Sequence, residues 1–453
     1  MKIKFILCVL LLSFSQLFAD SMTEGFVRKT LKNGLEVCVI QNHLVPLVTL
    51  EICTRNGSFT EPPDYNGLSH LYEHMFFKAN DVLPSQEAYL KRVHELGISF
   101  NGSTHTEFVN YFFTLPATNF DPGMKFMADA IETPKFDEEE LKKERKVVLG
   151  EFDRDQSQPL FALEEGMDSV VWAGNISRKT PLGVRPTIDA ATQDQMHTIQ
   201  HRYYIPNNSL LIIAGDVKPE EAFAEAEKYL DSWKPGPDPF KEYPIPAIQP
   251  LDKKQLIIRP SSIPPQLAFA QQQWHGPSVG TDDKATFAAD VFSYILNQST
   301  SRFYKTMVES GLTMGIEVGY EQQHYVGPIA ASMQMQPENL VAAIDTLHSE
   351  INHWDDDNYF TDEELETAKH ILKVQHLYEA ENTSNFVHDV SFFWASCGDK
   401  YMDDYLDGIE HITRQDIKNY VDNYIKGKNY VLGVGMAEEN IKKITLNPAE
   451  VLQ

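Results

Sequence analysis

The run His70-Leu71-Tyr72-Glu73-His74 places two imidazoles and a carboxylate at positions i, i+3 and i+4, which on a helix is one face. Two imidazoles one turn apart can ligate a single Zn2+. Glu73 then points at the coordination position left open for water. Zinc needs a third protein ligand, and the segment Asp137–Asp155 offers Glu144 and Glu151, seven residues apart and so on one helical face. Either can ligate while the other orients it or a histidine. The chain has no Cys-x-x-Cys motif, and His105, His197 and His201 lack ligand spacing. A metal would therefore be held by His and carboxylates, one zinc per chain.

These side chains need rigid elements to position them. The apolar period from Leu68 to Phe77 predicts a helix, as does Asp137–Asp155 with Leu141, Val147, Val148 and Phe152 as its apolar set. Strands are predicted at 35–40 and 47–53, and again at 255–258 and 266–270. The chain reads as duplicated. Phe136-Asp-Glu-Glu-Glu-Leu141 matches Phe360-Thr-Asp-Glu-Glu-Leu365 at an offset of 224, and each opens like a capping box. Near the ends, Tyr204-Ile205 with Leu211–Gly215 matches Tyr424-Ile425 with Val431–Gly435 at an offset of 220. Six prolines between Pro235 and Pro250 mark a linker over 235–254. The expected organisation is a zinc-binding domain at 20–234 and a homologous domain without a metal site at 255–453. Its fold class is α+β, each half a mostly antiparallel sheet packed against helices.

Composition restricts the setting. Met1-Lys-Ile-Lys, an apolar stretch from Phe5 to Phe14 and Ala19 read as a secretory signal peptide over 1–19. The stretch falls short of the roughly 20 apolar residues of a membrane span, so the mature chain is expected in the periplasm without one. A formal charge of −26 repels nucleic acid. Cys38, Cys53 and Cys397 remain after the signal, an odd number. Cys38 and Cys53 lie in apolar strand-like runs that suit buried thiols. Asp355–Phe360 lacks the glycine a calcium loop requires and reads as a helix cap.

The run Gly67–Lys78, with Glu151 standing 77 residues after His74 and Glu144 seven before Glu151, resembles the pitrilysin, insulysin and mitochondrial processing peptidase family. Tyr203-Tyr-Ile-Pro-Asn-Asn208 and the strand after it resemble the same family. The resemblance implies His70, His74 and Glu151 as zinc ligands, Glu73 as general base and Glu144 as supporting carboxylate. It implies peptide substrates that add as a strand to a sheet edge, matched here by Asn101, Gly102, Ser103 and Thr104. The family more often has Ala where this chain has Gly102.

Two departures follow. The 224 offset sets Tyr294, Asn297, Gln298 and Gln375 where the first half has His70, Glu73, His74 and Glu151, and amides are poor zinc ligands. Complete members also carry an Arg shortly before a Gly-Leu pair and a Tyr after it, both reaching the substrate. Around Gly311-Leu312 this chain has Met307 or Val308 and Met314 instead, none able to donate to an oxyanion. Either Arg302, Tyr304 or Tyr320 substitutes, or a related two-domain subunit supplies the pair in a heterodimer. The competing expectation is a binding or scaffold subunit of the same fold that turns nothing over.

Overall fold

The computed structural model describes residues 25–444 and 446–452; the expected signal segment lies outside the described residues. Two mixed sheets form the framework. The first holds β1 (Phe26–Thr30), β2 (Glu36–Gln41), β3 (Leu47–Thr54), β4 (Ser99–Thr104), β5 (Val109–Pro116) and β6 (Ser209–Gly215), in the order β1-β2-β6-β3-β5-β4. The second holds β7 (Gln255–Pro260), β8 (Ala268–His275), β9 (Gly315–Tyr320), β10 (Pro328–Met335) and β11 (Val431–Met436), in the order β7-β11-β8-β10-β9. Apart from β1 the two orders are the same. In each sheet only one pair is parallel, β2 with β6 and β7 with β11. The duplication expected from the sequence is thus present as topology, and the fold class is as expected.

The helices that matter for the site are α1 (Leu68–Phe76), α2 (Gln86–Leu96), α3 (Phe120–Glu132), α4 (Glu138–Gln156) and α5 (Phe161–Val171). The second half contributes α6 (Asp283–Asn297), α7 (Asp362–Glu381) and α8 (Thr383–Phe392). Asp137 caps α4 by accepting from the N–H groups of Glu139 and Glu140, and Thr361 with Glu364 forms a full capping box on α7. Leu141, Val148 and Phe152 are buried as expected, whereas Val147 is 47% exposed. The Val147-Val148 dipeptide cannot put both side chains on the buried stripe, because neighbours on a helix point about 100° apart.

Sheet alternation buries both faces. In β6, Leu211 and Ile213 pack with the first half's own helices, while Leu210, Ile212 and Ala214 join the core of the second half. The covering element on that side is α8, which packs on β3, β5 and β6. Reciprocally, α5 of the first half covers β7, β8 and β11, with Leu163, Met167 and Val171 against Val431. Each sheet therefore borrows one layer from the other half. Within the proline-rich segment, Asp238 caps one helical turn, Pro239–Glu242, where proline at the first position costs no hydrogen bond.

The borrowed α8 is clasped through a carboxylate. Glu51 on β3 is fully buried and accepts from Ser391 at 2.5 Å and from Asn110 at 2.8 Å. His388 Nδ1 lies 2.6 Å from its other oxygen. Glu51→Ala strands three polar groups between the layers and is expected to lower unfolding free energy by about 3–5 kcal/mol, read from urea denaturation of the purified chain.

Candidate metal centre

Helix α1 starts from a tight glycine contact. Gly67 has φ of 91°, and a Cβ on Gly183 would come 2.3 Å from its Cα. Only glycine fits both positions. The buried Glu61 carboxylate then caps the helix, accepting from Gly67 N at 2.8 Å and Ser69 N at 2.6 Å. The inner face of α1 is aromatic. Tyr72 stacks on Tyr204 at 4.1 Å and Phe76 on Tyr111 at 3.8 Å, and the Tyr111 and Tyr204 hydroxyls share a 2.8 Å hydrogen bond. This packing along one face fixes the rotation of α1 and leaves His70, Glu73 and His74 on the face toward α4 and β4.

There the expected set comes together. His70 Nε2 lies 3.6 Å and His74 Nε2 3.5 Å from the same oxygen of Glu151, and one ligand atom of each residue lies within 4.8 Å of the others. Ligand atoms bound about 2.0–2.2 Å from a tetrahedral ion sit about 3.3–3.6 Å apart, and both imidazole-to-Glu151 distances match that spacing. It is the one such His, Cys, Asp and Glu group among the described residues. The two glutamates have different neighbours. Glu151 faces both imidazoles, whereas Glu144 turns to His74 Nδ1 at 3.3 Å and to Lys78 Nζ at 2.8 Å. Glu144 is nearly buried and would fix the His74 ring from behind.

Charge states follow the surroundings. Burial, reinforced by His74, pulls the His70 pKa down to about 4, which keeps the imidazole neutral, the form that ligates metal. Burial opposes a charge on His74, but Glu144, Glu151 and Glu73 carry its pKa above the ordinary value. Burial also opposes the Glu144 charge, yet His74 and Lys78 hold that carboxyl below its ordinary value. Glu73 is pushed up by burial, against a hydrogen bond from Thr104.

That hydrogen bond gives one expected substrate residue a second contact. Thr104 Oγ1 donates to Glu73 Oε2 at 2.7 Å, so its side chain orients Glu73. Asn101, Gly102 and Ser103 lie with it on β4, the outermost strand of the first sheet. Gly102 is buried against the site. A Cβ there would lie 3.1 Å from Glu73 Cγ and from Asn110 O, so the missing methyl leaves room for Glu73. Lys78 and Glu61 are supporting residues the sequence reading left without a role. Lys78 sits one turn after His74, a spacing that could have indicated it; Glu61 lies in an irregular loop with no such signal.

In the second half the equivalent place holds no ligand set. Tyr294 on α6 donates its hydroxyl to Gln375 on α7, so the offset joins the two residues whose counterparts are His70 and Glu151. Asn297 instead bonds the backbone of Val318 on β9, and Gln298 bonds the carbonyl of Glu364. Arg302 pairs with Glu350 at 3.0 Å and lies over Tyr359. Tyr320 donates to the Pro277 carbonyl at 3.0 Å. Met307 is buried and Met314 is 62% exposed. The acids of Asp355–Asp357 pair with Lys426, His353 and Lys418.

Two copies of one sheet-and-helix unit, only the first with a His-x-x-Glu-His helix facing a distant Glu, define the class of two-unit peptidases with the inverted zinc motif. The chain belongs to peptidase family M16, the insulinase family. Residues 36–180 match the model described as "Insulinase (Peptidase family M16)" and residues 190–372 the model described as "Peptidase M16 inactive domain". A protein of Rickettsia felis described as an uncharacterized zinc protease is 30% identical over 215 residues, 48% of this chain and 52% of that protein. That match spans about half the length of the relative. The mitochondrial-processing peptidase subunit beta of Lentinula edodes is 22% identical over 423 residues, covering 89% of this chain and 88% of that one. The fold is shared with the periplasmic protease PqqL of Escherichia coli, with a TM-score of 0.79 and 19% identity over 95% of this chain and 49% of that chain.

Proposed function

We propose that this chain is the zinc-bearing subunit of an exported peptidase that hydrolyses extended peptides. The observation that carries the reading is the convergence of His70, His74 and Glu151 beside Glu73, beneath the outer edge of β4. When bound there, zinc supplies Lewis acidity toward the scissile carbonyl and lowers the pKa of a water. Glu73, held by Thr104, accepts the water's proton and returns it to the leaving amine. The edge of β4 takes the substrate as an added strand through main-chain hydrogen bonds, with Asn101 and Ser103 flanking Gly102.

Export rests on the signal-type start of the chain and accords with the periplasmic setting in the name of PqqL. Among the described residues no helix is long and apolar enough to cross a membrane. The partner reading rests on Met307 and Met314 and on Arg302 and Tyr320 being engaged elsewhere. The same observation favours the second reading, a binding subunit without turnover of its own. Elemental analysis of protein purified without chelators decides the metal question: one zinc per chain is expected. Glu151→Gln is expected to weaken zinc at least as strongly as Glu144→Gln, whose supporting role predicts a loss of about 10–100-fold. Tighter retention in Glu151→Gln than in Glu144→Gln would reverse the two assignments.

A further inference from the structure

A separate cleft of about 260 Å³ opens where the loop after β3, the β9–β10 turn and the residues following α8 meet. Four aromatic rings wall it: Phe59, Phe240, Tyr325 and Trp394. Phe59 lies 5.6 Å from both Phe240 and Tyr325. Two charged groups complete the lining. Arg55 lies 3.7 Å over the Trp394 ring and gives one N–H to the Trp394 carbonyl at 3.0 Å. Among the described residues no carboxylate forms an ion pair with it, and Glu36 and Asp399 act on its charge only from a distance. Glu107 is buried and is held in place by the N–H groups of His324 and Tyr325 at 2.8 and 2.9 Å.

An enclosed guanidinium has five donors in a planar fork suited to a carboxylate, and leaving it without an anion is costly. A plain carboxylate ligand would meet the like charge of Glu107. A plain amine would meet Arg55. A ligand bearing both charges satisfies both groups, and the aromatic walls take an apolar remainder. The volume is of the size of one amino-acid residue. We propose that this cleft is a binding site for a free α-amino acid with an apolar or aromatic side chain, its carboxylate on Arg55 and its ammonium toward Glu107. The proposal stands on these residues alone and is independent of the zinc reading.

The test uses L-phenylalanine on the purified full chain, with and without metal, by titration calorimetry. Single-site binding is expected, with 3-phenylpropionate and phenethylamine each weaker by about tenfold or more, since each loses one charge-assisted pair. Among the described cysteines Cys397 lines the cleft while Cys38 and Cys53 are buried, so L-phenylalanine is expected to slow alkylation of Cys397, followed by peptide mapping. Arg55→Gln is expected to weaken binding about tenfold. Phe240→Ala, which removes a wall and keeps both charges, should weaken it too and decides the matter where Arg55→Gln does not fold. Absence of saturable binding at millimolar L-phenylalanine, or affinity unchanged in Phe240→Ala, overturns the site. Binding of 3-phenylpropionate as tight as that of L-phenylalanine overturns the amino-acid assignment.

Discussion

Replacing Glu73 with Gln is expected to lower the turnover of peptide hydrolysis by about 10²–10⁴-fold and to leave zinc content and fold unchanged. The amide has the size of the carboxylate, and its oxygen can still accept from Thr104, which holds Glu73 at 2.7 Å. What is lost is the ability to take a proton from water. Metal should remain because the three converging atoms belong to His70, His74 and Glu151. KM should hardly move, since the β4 edge that takes the peptide is untouched. Stopped-time peptide assays and elemental analysis on the same preparation check both halves of the expectation. Turnover retained in the variant would remove Glu73 from its role; loss of zinc would move it among the ligands.

Thr104→Val is a companion test of how Glu73 is held. Removing the hydroxyl leaves a part-buried carboxylate without that donor, in surroundings that already push its pKa up. A fall in kcat with little change in KM is expected, smaller than in Glu73→Gln. An unchanged kcat would show that Thr104 serves the strand edge alone.

The convergence of His70, His74 and Glu151 was legible because helical geometry is a strict constraint: spacings of three, four and seven residues fix a face before any tertiary contact is known. Spacing could not rank Glu144 against Glu151, which share that face. What separates them is the neighbours on and just after α1: Lys78 and His74 Nδ1 lie beside Glu144, whereas Glu151 lies near both imidazoles. The duplication was legible because matching segments recur at nearly one offset, 224 and 220, and apart from β1 both halves share one strand order. The exchange of α5 and α8 was not. Amphipathic pattern says that Leu163, Met167 and Val171 need an apolar partner, and any sheet face satisfies it. The second half's sheet does so here. The contact of Thr104 with Glu73 was not legible for the same lack of tertiary information, since period-two alternation gives the side of the sheet and not the neighbour.

The second large effect concerns assembly. The isolated chain is expected to hydrolyse peptides slowly, and addition of a related two-unit subunit bearing the Arg and Tyr is expected to raise the rate by about 10²–10³ for each donor restored. Donors aimed at the developing oxyanion act strongly because they are fixed before the reaction. In this chain the segment expected to provide them ends in Met307 and Met314, one buried and one exposed. Two of the three substitutes are bound elsewhere: Arg302 neutralises Glu350, itself tied to Tyr359, and Tyr320 serves the Pro277 carbonyl, while the third, Tyr304, is half-buried. Freeing Arg302 would leave Glu350 as a buried carboxylate without its cation, which costs more than a new hydrogen bond returns. Assays of the chain alone and mixed with the candidate partner, wild type and with its Arg and Tyr replaced, settle the point. Full activity of the isolated chain, indifferent to those replacements, would place the oxyanion donors within the chain and defeat the heterodimer.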